Sequence, residues 1–220
     1  MEENMNIRAF IAEFLGVFAL CFVGIGAIAT VQGEDLMTVA LAHGLAIALS
    51  VVALGAVSGG HFNPAVTFAM LITGRIAPMA AAGYWGAQFL GGLAAAFFIG
   101  ALYGSSAVAE GTPLPSANHT AVQALMMEIF LTFFLVSVIF GAAVFNNFSY
   151  AGLAVGLAVT MGILAGGAVS GAAMNPARVL GPAIVGGEWS AHWVYWFGPL
   201  VGAGLAALLY DFLYSKRAES

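Results

Sequence analysis

The chain has 220 residues, of which 62% are apolar and 7% charged, with a mean hydropathy of +1.00. Soluble domains carry about 25% charge, so a water-soluble fold is excluded and an integral membrane protein is indicated. A net charge of −5 with five Lys and Arg leaves no basic surface for nucleic acid, and the lone Cys21 excludes an intrachain disulfide or a cysteine metal cluster.

The first six residues are acidic rather than basic, and the apolar run after them is long enough to span, so no removable signal peptide is expected. Runs of about 20 apolar residues predict six membrane spans, at 10–31, 37–57, 79–103, 120–144, 150–169 and 191–214. Between the second and third lies 64–73, too short to cross, and 176–185 is its counterpart between the fifth and sixth. Glycines at 16, 24, 91, 92, 152, 156, 202 and 204 fall within the spans and are read as sites of close helix packing. Trp189, Trp193, Tyr210 and Tyr214 sit near span ends, as interfacial aromatics do.

The two short segments begin in nearly the same words. Residues 56–65 read AVSGGHFNPA and residues 168–177 read AVSGAAMNPA, seven of ten positions identical at a shift of 112. Gly44-Leu45-Ala46 and Gly92-Leu93-Ala94-Ala95 recur at the same shift. Asn before Pro is a helix start, because Asn can cap and Pro at the first position gives up only an N–H that has no partner there. The chain is therefore expected to be a duplication: a first repeat over 1–103, a connecting loop over 104–119 and a second repeat over 120–220. Three full spans per copy is an odd number, so the second copy enters from the opposite face. Two re-entrant half-helices should then bring Asn63 and Asn175 together at mid-membrane. Arg8, Arg75, Lys216 and Arg217 fall on the side of the termini, whereas Glu34, Asp35, Glu110 and Glu188 fall on the other. The positive-inside tendency puts both termini in the cytoplasm.

Both Asn-Pro-Ala boxes (Asn63-Pro64-Ala65 and Asn175-Pro176-Ala177), the Ser-Gly-Gly-His lead-in at 58–61, Arg178 with Gly181-Pro182, and His192-Trp193-Val194-Tyr195-Trp196 together resemble the aquaporin, or major intrinsic protein, family over nearly the whole chain. The resemblance implies an all-α membrane fold of six spans and two half-helices in an inverted repeat, assembled as a homotetramer with a pore in each subunit. It implies a passive water channel whose pore centre is the two boxes. The carbonyls of Gly59, Gly60, His61, Gly171, Ala172 and Ala173 would form an acceptor ladder. Glu13 and Glu128 would buttress the loops that hold the boxes, and Arg178 would be the selectivity-filter cation. The rival for Arg178 is a structural ion pair with Glu13 or Glu128.

By distance from the boxes, the other filter positions fall on His43, Ile163 and Ala172, twenty, twelve and three residues before the Asn of their respective boxes. His-Ile-Ala-Arg departs from the strict water filter, where Phe, His and Thr or Cys are usual, and resembles the plant tonoplast intrinsic proteins. A somewhat wide filter passing ammonia as well as water is expected, with urea or hydrogen peroxide further candidates. His43 brings a polar nitrogen and titration near neutral pH to the filter. Val179, where glycerol channels carry Asp, argues against a glycerol- and urea-conducting aquaglyceroporin-like facilitator, the nearest alternative. An ion-coupled secondary transporter would also use inverted repeats, but no central carboxylate pair is present to bind its ion. No catalytic set, metal site or cofactor motif stands out, so an enzyme is not expected. Cys21 is read as a buried small residue and His119 as a loop residue outside the pore. The cell membrane is the expected location, a vacuolar-type membrane the alternative.

Overall fold

The computed structural model describes residues 6–215. Helix α1 covers Ile7–Val31, α2 Leu36–Ser58, α3 Pro64–Ile72, α4 Pro78–Tyr103, α5 Ser105–Glu110, α6 Ala121–Ile139, α7 Ala151–Ser170, α8 Pro176–Gly186 and α9 Val194–Ser215. No strand occurs among the described residues. Six of the helices are long and apolar enough to cross a bilayer, α6 doing so together with the π-helical turn Phe140–Phe145 that continues it. The expected spans and half-helices all appear, with ends displaced by at most three residues, as is usual where capping decides the boundary. Lys216 and Arg217 lie outside the described residues.

Side-chain caps set several of the helix starts. Asn6, Asp35 and Thr120 accept from backbone N–H groups at the first turns of α1, α2 and α6, and Thr120 with Gln123 completes a capping box. Asn63 and Asn175 cap α3 and α8, each with Pro at the first helical position. Helices α2 and α7 end at Gly59 and Gly171, both in the left-handed region.

The long helices pack chiefly in the pairs α1 with α4, α6 with α9 and α2 with α7, and the N-termini of α3 and α8 point at each other from opposite sides. Glycine permits the closest crossings. A Cβ on Gly156 would stand 2.6 Å from the Ala48 Cβ and against the Gly44 carbonyl, and one on Gly181 would stand 2.6 Å from the Leu93 amide nitrogen. Gly24 serves the packing of α2 on α1, whereas Gly16 makes room for a loop residue. A Cβ on either would run into an aromatic ring, Phe62 for Gly16 and His43 for Gly24.

Two features depart from a plain reading of the apolar pattern. The connecting segment, read as loop, contains α5, which packs on α8 and α4. At the end of α6 the π-turn carries Phe140 and Phe145, and the Arg75 guanidinium lies 5.3 and 5.1 Å from their ring centroids while pairing with Asp211 at 2.7 Å. This ties the loop after α3 to the C-terminal end of α9. Gly156→Val should force the α2–α7 crossing apart at about 1–3 kcal/mol, as overpacking does, lowering the thermal midpoint in detergent. An unchanged midpoint would show that the crossing has slack.

Candidate functional site

The chain entering each half-helix leaves helical geometry completely. Gly59, Gly60 and Phe62 have φ of 84°, 67° and 47°, and Gly171, Ala172 and Met174 have 77°, 47° and 52°. Three of these carry side chains, a conformation that L-residues adopt at a cost of about 1–2 kcal/mol each, so the surroundings must hold them there. They do so through a buried glutamate under each loop. Glu13 accepts from His61 N (3.0 Å) and Ser58 Oγ (2.7 Å) on one oxygen, and from Phe62 N (2.6 Å) and Gln88 Nε2 (2.7 Å) on the other. Glu128 accepts from Ala173 N (2.9 Å), Ser170 Oγ (2.7 Å) and Met174 N (2.7 Å). N–H groups approach both oxygens of each acid, so each side chain serves as an acceptor on both sides.

The carbonyls at the ends of each loop are bound and those in the middle are open. Tyr84 Oη and Tyr195 Oη donate to the carbonyls of Ser58 and Ser170, each at 2.7 Å. The Phe62 and Met174 carbonyls accept from the opposite asparagines: Asn175 Nδ2 to Phe62 O at 2.8 Å and Asn63 Nδ2 to Met174 O at 2.7 Å. Those two bonds lock the tips of α3 and α8 together. Between them, the carbonyls of 59–61 and 171–173 meet no protein donor among the described residues. Each asparagine also turns Oδ1 back to its own helix, to Ala65 N at 2.8 Å and to Ala177 N at 3.0 Å.

These residues border a narrow cavity of about 30 Å³, lined by His61, Asn63, Asn175, His43, Ile163, Ala172, Ala173, Gly60 and Arg178 with an apolar remainder. At about 10–15 Å³ per water-sized sphere, that space admits two or three waters. A wider vestibule of about 350 Å³ adjoins it, walled by 110–116, Ile28 and Gly171. Arg178 borders both. Gly59 lines neither.

Arg178 is 4% exposed and makes no ion pair with Glu13 or Glu128; the ion pair among the described residues is Arg75 with Asp211. Its Nη1 donates to the Gly111 carbonyl at 2.9 Å and its Nε to His43 Nε2 at 3.3 Å. His43 Nδ1 lies 2.8 Å from the Val39 carbonyl, which can only accept, so Nδ1 carries the hydrogen and Nε2 the lone pair. Protonating Nε2 would break the Arg178 bond and set two cations side by side; the geometry selects the neutral ring. The polar nitrogens expected to face the passage are committed to protein. Cys21 is fully buried, and His119 bonds Ser116 Oγ through Nδ1 at 2.7 Å. Sequence reasoning assigned no role to Ser58, Ser170, Tyr84, Tyr195, Gln88 or Gly111. The two serines left a signal in matching places within the duplicated stretch, and Tyr195 one in the 192–196 motif.

The sequence model of the major intrinsic proteins matches residues 1–210. The chain belongs to the major intrinsic protein family. Among relatives, it is 42% identical to the probable aquaporin TIP3-2 of Arabidopsis thaliana over 94% of this chain and 84% of the relative. It is 39% identical to aquaporin TIP2-1 of the same plant over 97% and 90%, and 44% identical to aquaporin TIP4-4 of Zea mays over 96% and 88%. Its fold superposes on the X-ray structure of the aquaglyceroporin from Plasmodium falciparum with a TM-score of 0.86 at 26% identity, over 97% of this chain and 99% of that one.

In this major intrinsic protein each glutamate satisfies two backbone N–H groups that lipid cannot. Glu128→Gln turns an N–H toward one of them, leaving it unpaired at about 1–3 kcal/mol. The thermal midpoint should fall by about 2–4 °C per kcal/mol for a chain of this length, and Glu13→Gln should behave alike. Midpoints equal to wild type in both would mean the loops are held by other contacts.

Proposed function

We propose that the chain is a passive water channel that excludes protons and ions and also admits ammonia. The observation that carries this reading is the meeting of two helix N-termini, capped by Asn63 and Asn175, beside a cavity of about 30 Å³. Each helix end contributes roughly half a positive charge, so a cation that sheds water there meets an unfavourable potential, whereas a neutral molecule does not. One amide hydrogen of each asparagine is spent on the opposite loop and Oδ1 on its own helix. The remaining N–H is the group available to a passing oxygen. A water held by two such donors turns its lone pairs toward both, which interrupts a proton-conducting hydrogen-bond chain. The carbonyls of Gly60, His61, Gly171, Ala172 and Ala173, whose residues line the two cavities, act as acceptors on the approaches, so water regains the partners it loses.

Arg178, with His43, Ile163 and Ala172, forms the filter. A buried guanidinium is expensive, at least about 2.5–3.5 kcal/mol on insertion scales, and its retention beside both cavities supports a role in repelling cations. Ile163 and Ala172 present only hydrocarbon, and both His43 nitrogens are engaged. The filter therefore offers few donors to enforce water alone, which supports ammonia passage, with urea and hydrogen peroxide as further candidates. Val179 after Arg178 and the relatives named as TIP-type aquaporins favour this over a glycerol facilitator.

The two stretches 1–103 and 120–220 act as inverted copies, both termini face the cytoplasm, and the chain assembles as a homotetramer in the cell membrane or a vacuolar-type membrane. In stopped-flow experiments, proteoliposomes should shrink under a sucrose gradient far faster than empty liposomes, and an ammonium gradient should give ammonia flux above lipid. His43→Phe with Ile163→His should lower ammonia flux relative to water. Fast shrinkage without ammonia flux would overturn the wide-filter part; shrinkage at the lipid rate would overturn the channel.

A further inference from the structure

Helix α1 contributes one lining residue to each cavity. Leu20 lines the narrow cavity and Ile28 the vestibule. Midway on the same helix face, four residues from each, stands Gly24, which lines neither. A Cβ built on Gly24 would clash with the His43 imidazole, 2.5 Å from Cδ2 and Cε1 and closer still to Nε2. The imidazole thus fills the space that a side chain at 24 would take. The next residue, Ile25, is fully buried beneath Gly111, where a Cβ would stand 2.5 Å from Ile25 Cγ2 and 3.1 Å from Cγ1. His43 and Gly111 are the two acceptors that hold the Arg178 guanidinium.

We propose that Gly24 and Ile25, which line neither cavity, are specificity-determining positioning residues: Gly24 seats His43, Ile25 seats Gly111, and together they set where Arg178 stands. The inference rests on the reading of Arg178 as the filter cation. The His43 ring is tethered at Nδ1 to its own helix, one turn back at Val39. A methyl group on Gly24 leaves the ring one direction with free volume, the cavity itself. The displaced ring narrows the passage and releases Arg178 Nε.

The test compares Gly24→Ala in the wild-type and His43→Ala backgrounds, in proteoliposomes at matched protein content. In the wild-type background, water permeability should fall about fivefold, the size of coupling expected between touching residues. Where His43→Ala has removed the imidazole, adding Gly24→Ala should leave permeability unchanged. A readout independent of transport is the ¹⁵N resonance of Arg178 Nε in lipid, which should move on Gly24→Ala only when His43 is present. If Gly24→Ala does not fold, Gly111→Ala serves, since Gly111 has an ordinary φ of −75°. It should shift the Arg178 Nη1 resonance, and Ile25→Ala should restore it. Wild-type permeability and spectra in Gly24→Ala, equal losses in both backgrounds, or a Gly111→Ala spectrum like wild type would each overturn the proposal. If the wild-type protein conducts no water above lipid, the channel reading fails, and the Arg178 resonances still decide the positioning.

Discussion

The architecture depends on six backbone N–H groups that have no helix to bond to and no bulk water to turn to. They belong to Gly60, His61 and Phe62 before α3, and to Ala172, Ala173 and Met174 before α8. Irregular backbone at membrane depth survives only when protein or a wet cavity satisfies it. Here Glu13 with Ser58, and Glu128 with Ser170, take all six. A carboxylate is an acceptor with two oxygens and about four lone-pair sites, so one side chain per loop suffices where neutral groups would be needed in number. The acid is in turn kept from water by helices packed closely enough to need glycine at their crossings.

Once the N–H side of each loop is committed to a glutamate, the carbonyl side is left for the cavity. The carbonyls at either end of the run are taken, by tyrosine hydroxyls before and by the opposite asparagine after. Those in the middle are not. The cross-bonds Asn63 to Met174 and Asn175 to Phe62 make each half-helix tip depend on the other loop. The two broken helices are therefore one structural unit, although 112 residues separate their asparagines. The same economy governs Arg178, whose donors are divided between a carbonyl of the connecting segment and the neutral ring of His43. Two of its five N–H donors thus go to neutral acceptors of fixed geometry rather than to a carboxylate.

Much of this could be read from the chain. Length and hydropathy mark the six spans because a bilayer demands about 20 apolar residues from each. The doubled Asn-Pro-Ala marks two helix starts where no span begins. Spacing from the boxes singles out His43, Ile163, Ala172 and Arg178, which border one cavity. The π-turn at 140–145 and helix α5 left no such trace: the turn's residues are as apolar as their neighbours, and the six residues of α5 are too few to show a helical period. Gly16 and Gly24 look in sequence like any small residue of a packed helix. That they make room for the Phe62 and His43 rings emerges only when a loop and a second helix are laid against α1.

The sequence by itself determined the class of fold and the places where helices must break, because those follow from local rules: apolar length, capping by Asn, the missing N–H of Pro. Only the tertiary structure decided which nitrogen meets which oxygen. That His43 spends its hydrogen on Val39 and its lone pair on Arg178, and that Gly111 rather than a glutamate receives the guanidinium, are matters of distance and direction between segments remote in the chain. Hydrogen bonds fail within a few tenths of an ångström and a few tens of degrees, a precision that residue type and spacing do not encode.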